Sequence, residues 1–164
     1  MSGVCVRNES GHDLDTALLI EAVRATLRMH GDKKTPDGRV SIVLTGDERV
    51  RNLNRRYRGI DRVTDILSFP AVPHGIGEEE PALGDLVLAT PWASRQADCA
   101  GHQIMDDLVL LVVHGTLHLL GFTHDDDRGS DAMRAAQDAV LQGLGVPPEN
   151  AEQLEQLSET EVWA

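Results

Sequence analysis

A chain of 164 residues, 41% apolar and 26% charged, has the length and composition of one globular domain and is too short for two. Its formal net charge of −12 excludes a general nucleic-acid binder held by bulk positive charge. With two cysteines, Cys5 and Cys99, no secretory leader and no apolar run approaching the roughly 20 residues of a bilayer span, the expectation is a reduced, cytoplasmic protein with no membrane partner.

Residues 4–7 read as a first strand. An amphipathic helix follows over 13–30, with Leu14, Ala17, Leu18, Ala22, Ala25 and Met29 as its apolar side and Gly31 past its end. After a polar loop, the β-branched run 40–45 reads as a half-buried strand. Asp47 is placed to cap a helix reaching Tyr57, with Val50, Leu53 and Tyr57 at spacings of three and four as its buried stripe. Residues 64–69 form the next strand, ended by Pro70, and 71–82, rich in Gly, Pro and Glu, read as a surface loop or flap. A strand over 84–89 leads to Thr90-Pro91, an N-cap and first helical position for a short helix to Cys99. The long central helix spans 103–120. Ser130 then caps a last helix to Gly143, with Ala132, Met133, Ala136, Val140, Leu141 and Leu144 on its apolar side.

The order β-α-β-α-β-β-α-α-α describes an α+β domain: a small mixed β-sheet of about four strands with helices packed on it. The domain occupies residues 1–146. The remainder, 147–164, carries five glutamates and no base and is expected to be a mobile or loosely docked acidic tail.

The run His114-Gly-Thr-Leu-His118-Leu-Leu-Gly121-Phe-Thr-His124 holds the only cluster among seven histidines; His12, His30, His74 and His102 stand singly. Positions i and i+4 share a helix face, so His114 and His118 can offer nitrogens to one ion. Gly121 can close the helix in a left-handed conformation and turn the chain so that His124 supplies a third ligand. Three protein ligands leave a fourth position open, as in a catalytic zinc site on the central helix and its following turn, one ion per chain. Imidazoles also suit nickel, copper and iron; geometry and availability favour zinc. Asp125, Asp126 or Asp127 could reach in and partly close the site. The apolar run 108–113 before His114 would bury and desolvate it.

The pattern HxxxHxxGxxH matches the zinc ligands of metzincin peptidases, which carry a glutamate base directly after the first histidine; here that position is Gly115. A metzincin-like metallopeptidase is therefore the weaker alternative, lacking a group that contributes roughly 10²–10⁴-fold. Between residues 49 and 62 lie six arginines, Arg49, Arg51, Arg55, Arg56, Arg58 and Arg62, against one acid, Asp61. Their planar guanidinium groups suit phosphate oxygens, although a solvated helix face would look the same.

Four segments, Leu53-Asn-Arg-Arg-Tyr-Arg58, Thr64-Asp-Ile-Leu-Ser-Phe-Pro70, Leu83-Gly-Asp-Leu-Val-Leu88 and the histidine run, together resemble the bacterial YbeY family of endoribonucleases and ribosomal RNA maturation factors. The resemblance implies a zinc-dependent, single-strand-specific endoribonuclease that matures the 3′ end of small-subunit ribosomal RNA and serves ribosome quality control. Its partners would be single-stranded RNA and the small ribosomal subunit with its assembly factors. It also implies that His114, His118 and His124 are metal ligands and that Arg58 is catalytic, able to place positive charge on the non-bridging oxygens in the transition state. Pairing with Asp61 or Asp65 is the structural alternative for Arg58. Asp65 and Ser68 support the site or are simply buried in the sheet, and Asp85 is a possible turn residue. Arg51, Arg55, Arg56 and Arg62 are RNA-binding candidates. Ile60 stands where the family commonly has lysine, which removes one positive charge. A non-catalytic, metal-stabilised ribosome-assembly factor is the reading from a different class.

Overall fold

The computed structural model describes residues 3–31, 39–71, 82–123, 125–147 and 150. The acidic tail beyond these, most of the 71–82 loop, His74 and His124 lie outside the described residues. Among the described residues nine elements appear in the expected order: β1 (Val4–Asn8), α1 (Thr16–His30), β2 (Arg39–Thr45), α2 (Asp47–Arg58), β3 (Ile66–Pro70), β4 (Ala82–Ala89), α3 (Thr90–Ala100), α4 (Ile104–Leu119) and α5 (Asp127–Leu144).

The four strands form one mixed sheet in the order β1-β2-β4-β3. β1, β2 and β4 run parallel, and β3 lies antiparallel to β4 at the edge. Alternation along the strands sends side chains to two faces, and each face carries its own core. On one, Val40, Ile42, Leu44, Ile66, Leu86 and Leu88 pack under α1 and α4, on which α5 lies in turn. On the other, Val43, Leu67, Val87 and Ala89 pack under Val50 and Leu53 of α2 and Trp92 of α3. Helix α4 is buried from Asp107 to Leu119, because it lies between the sheet and the helices α1 and α5. A helix that is apolar on every side needs such a central position.

Local signals and packing disagree at several places. Asp47 does not cap its own helix: the N-cap of α2 is Gly46, and the Asp47 carboxylate instead accepts from the Trp92 backbone N–H at 2.9 Å and pairs with Arg95, serving the first turn of α3. Ala89, not Thr90, is the N-cap of α3, and Thr90 is fully buried. Asp126 rather than Ser130 caps α5, accepting from Gly129 N–H at 2.6 Å. The buried residues of α1 are Leu19, Ala22, Val23, Ala25, Thr26 and Leu27; of those expected on its apolar side, Ala22 and Ala25 are buried, whereas Ala17 and Met29 face solvent, as does Ala132 of α5. Tyr57, expected in the buried stripe of α2, is 53% exposed. Gly121 behaves as its residue type requires. At φ +100° it closes α4, with Phe122 N–H on Leu117 O at 3.1 Å and Gly121 N–H on His118 O at 2.9 Å.

Candidate metal centre

Helix geometry brings His114 and His118 together. They lie one turn apart on the buried length of α4, 7% and 9% exposed, with their Nε2 atoms 3.1 Å apart and their rings nearly perpendicular at 72°. Two nitrogens bound at about 2.0–2.1 Å to one tetrahedral ion stand roughly 3.3 Å apart, so this pair fits two positions of a zinc site.

A third residue determines which nitrogen is available. The Nδ1 of His114 lies 2.8 Å from the Oε1 of Gln137, a side chain of α5 that is 4% exposed. An amide oxygen only accepts, so Nδ1 carries the proton and the His114 Nε2 keeps its lone pair toward His118. Such a partner behind a ligand holds the tautomer and the ring orientation. The sequence reading missed Gln137. Its signal was present, since Met133, Gln137, Val140 and Leu141 share one buried face of α5, and a polar residue on an apolar face must find a partner.

Gly115 faces the sheet. A Cβ there would stand 2.8 Å from Leu86 Cδ2, 2.9 Å from Ile66 Cδ1 and 3.2 Å from Ser68 Oγ. At the position that carries the glutamate base in metzincins, a side chain here would have to displace Leu86 and Ile66. Ser68 is 1% exposed, and its Oγ has no hydrogen-bond partner among the described residues. Asp65 is buried at 4% and accepts from Ile66 N–H at 2.9 Å and from Thr64 Oγ1 at 3.4 Å. Asp126 is occupied as a helix cap, and among the described residues no third His, Cys, Asp or Glu joins the histidine pair.

Arg58 ends α2, followed by Gly59 at φ +71°. Its Nη1 donates to the Oδ1 of Asn54 at 3.4 Å, while the Nδ2 of the same buried asparagine donates to the Arg62 carbonyl at 2.9 Å. Asn54 thus ties the end of the helix to the segment that carries the chain into β3. Asp61 is engaged by Arg51 at 2.8 Å and 3.3 Å, which holds its carboxyl below the usual range and raises the guanidinium. Arg55 reaches Asn52 at 3.4 Å, and Arg56 sits 5.5 Å over the Tyr57 ring. Arg62 shares a surface hollow with Asp47, Glu48, Arg51 and Asp61. The structure thus joins His114, His118 and Gln137 directly, with Ser68 beside Gly115. The arginines ride on the opposite layer, across β3.

The family model described as Endoribonuclease YbeY matches residues 5–145. The chain belongs to the YbeY family. The Endoribonuclease YbeY of Azorhizobium caulinodans is 41% identical over 129 residues, covering 79% of this chain and 81% of the relative. That of Moorella thermoacetica is 42% identical over 119 residues, covering 67% and 75%. The solution structure of TM1509 from Thermotoga maritima superposes with a TM-score of 0.57 at 24% identity, covering 94% of this chain and 95% of that one, and shares the fold. The motif resemblance thus holds over most of the chain.

Proposed function

We propose that this protein is a zinc-dependent, single-strand-specific endoribonuclease that acts in 3′-end maturation of small-subunit ribosomal RNA and in ribosome quality control. The observation that carries the metal half of this reading is the pair of buried Nε2 atoms 3.1 Å apart, with the His114 tautomer held by Gln137. His124, three residues beyond the Gly121 turn, is proposed as the third ligand. Relatives named Endoribonuclease YbeY support the RNA half.

When bound, zinc supplies a Lewis acid and brings the pKa of water in its shell to about 7. The chain's own residues do the rest. The apolar walls of α4 and the sheet exclude bulk water from the histidine pair, which strengthens electrostatic interactions there. Arg58, held by Asn54 at the end of α2, contributes positive charge to the non-bridging oxygens as the phosphodiester approaches its transition state. Among the described residues no helix is long and apolar enough to cross a membrane. The proposed setting is the cytoplasm, with the small subunit and its assembly factors as partners.

Replacing Arg58 by Ala should abolish cleavage of single-stranded ribosomal RNA while bound zinc and melting temperature stay near wild type. His114→Ala should lose both zinc and cleavage yet remain folded. Cleavage retained by a nuclease-free preparation of Arg58→Ala overturns the catalytic role. A His114→Ala chain that unfolds, together with a wild type that never turns over RNA, identifies the site as structural and the protein as a non-catalytic assembly factor.

A further inference from the structure

Helices α2 and α3 cover only part of the sheet face on which they pack, and strand register shows which part. Leu67, Val87 and Val43 stand side by side across β3, β4 and β2, under Val50, Leu53 and Trp92. Two residues away along each strand, Phe69 pairs with Asp85, Asp85 with Ser41 and Ser41 with Cys5. Side chains directly opposed across a sheet point to the same face, so these four form one row across all four strands. Among the described residues Cys5 and Asp85 are exposed and Ser41 is half-buried, while Phe69 packs at the edge of the cluster under α2 and α3. With Arg39 and Pro70 they line an open groove of about 480 Å³. Asp85, read from the sequence as a possible turn residue, thus sits exposed in mid-strand.

The groove continues onto an aromatic ledge. Tyr57 meets Phe69 edge to face, with ring centroids 5.3 Å apart, and is 53% exposed; the Arg56 guanidinium stands over its ring. A tyrosine on the apolar stripe of a helix is normally covered, and the fold leaves this one half open.

We propose that this row and ledge form a second subsite for single-stranded RNA, distinct from the histidine pair, in which one unpaired base stacks on the exposed Tyr57 beside Phe69 and the next presents an amino edge to Asp85. The proposal rests on the ribonuclease reading and specifies how its substrate is held. Aromatic rings on a bare sheet face are a recurring way to bind unpaired bases, because every base has a stacking face. Arg39 lines the groove and Arg56 stands over the Tyr57 ring, positions from which they can meet phosphates. Asp85 repels phosphate, so a base edge rather than the backbone approaches the centre of the row. A carboxylate accepts from the exocyclic amino groups of cytosine and adenine, which uracil lacks. An apolar protein partner is a poor match for a row centred on a carboxylate and a hydroxyl. Stacking also suits a chain of net charge −12, since its contribution does not depend on bulk attraction of the polyanion.

The test is fluorescence anisotropy of short oligomers of C, A and U on the zinc-loaded full chain, with oligomer length checked on a gel after each titration. Wild type should bind C and A oligomers about fivefold or more tightly than U. Tyr57→Ala should weaken binding by about 5- to 150-fold, and Tyr57→Phe, which keeps the stacking ring, should restore it. Asp85→Asn, whose amide both donates and accepts, should level the three oligomers with the melting temperature unchanged. If wild type cleaves RNA but Tyr57→Ala binds as wild type does, or Asp85→Asn keeps the base preference, the subsite is wrong and the ribonuclease reading stands. A wild type that neither binds nor cleaves any single-stranded RNA overturns that reading, and the subsite with it.

Discussion

Gln137 is the residue that would make the proposed ligand pair differ from two histidines that merely hydrogen-bond each other. By directing its amide oxygen at His114 Nδ1, 2.8 Å away, it leaves the Nε2 lone pair for an ion. Gln137→Leu keeps most of the volume and removes the acceptor. Zinc affinity, measured by competition with a chelator, should fall about 10- to 100-fold while far-UV circular dichroism stays native. Unchanged affinity would show that Gln137 only fills space. The histidine pair was legible from four-residue spacing because helix periodicity alone creates it. Its partner lies 23 residues further on and becomes adjacent only when α5 packs on α4.

At the scale of elements, Gly115 sets how closely α4 approaches the sheet. Sequence reasoning treated it as a missing base. The structure adds a positive reason for glycine, since even a methyl group would press on Leu86, Ile66 and Ser68. Gly115→Ala sets a helix-propensity gain of about 1 kcal/mol against an overpacking cost of about 1–3 kcal/mol. The variant should therefore be less stable by about 1 kcal/mol, read from the urea midpoint at unchanged m value. A stabilised variant would show that the helix can shift outward at little cost. Element order and the Gly121 stop were readable because they depend on neighbours in the chain. The caps were less so. Asp47 and Thr90 each had an apparent local role, but α2 and α3 start beside one another at the ends of β2 and β4, and Asp47 serves the neighbouring helix. Tyr57 and Met29 matched helical stripes by spacing; which side of a stripe is covered depends on the partner it meets.

At the scale of the molecule, one junction ties the start of α4 to the chain beyond α5. His102, after α3, lies 3.0 Å from Asp107 in the first turn of α4, and Asn150, beyond α5, reaches the same carboxylate at 3.4 Å. Burial pushes the Asp107 carboxyl up, against the opposing pull of His102. A carboxyl raised in the native state stabilises folding fully below its ordinary pKa of about 3.9, and that contribution is lost as pH rises through the native value. Asp107→Asn should therefore unfold at higher denaturant than wild type at pH 7, and the gap should close as pH falls toward 4. A less stable variant at pH 7 would show that the His102 pair outweighs the burial.

The chain order of elements, the zinc-type spacing on α4, its glycine stop and the family motifs could all be read from residues alone, since helix period, strand alternation and turn chemistry act over a few neighbours. Packing decided the rest: β4 between β2 and β3, the tautomer of His114, and the exposure of Asp85 and Tyr57. Each of these depends on which apolar faces cover one another, and that is settled only when distant segments compete for the same surface.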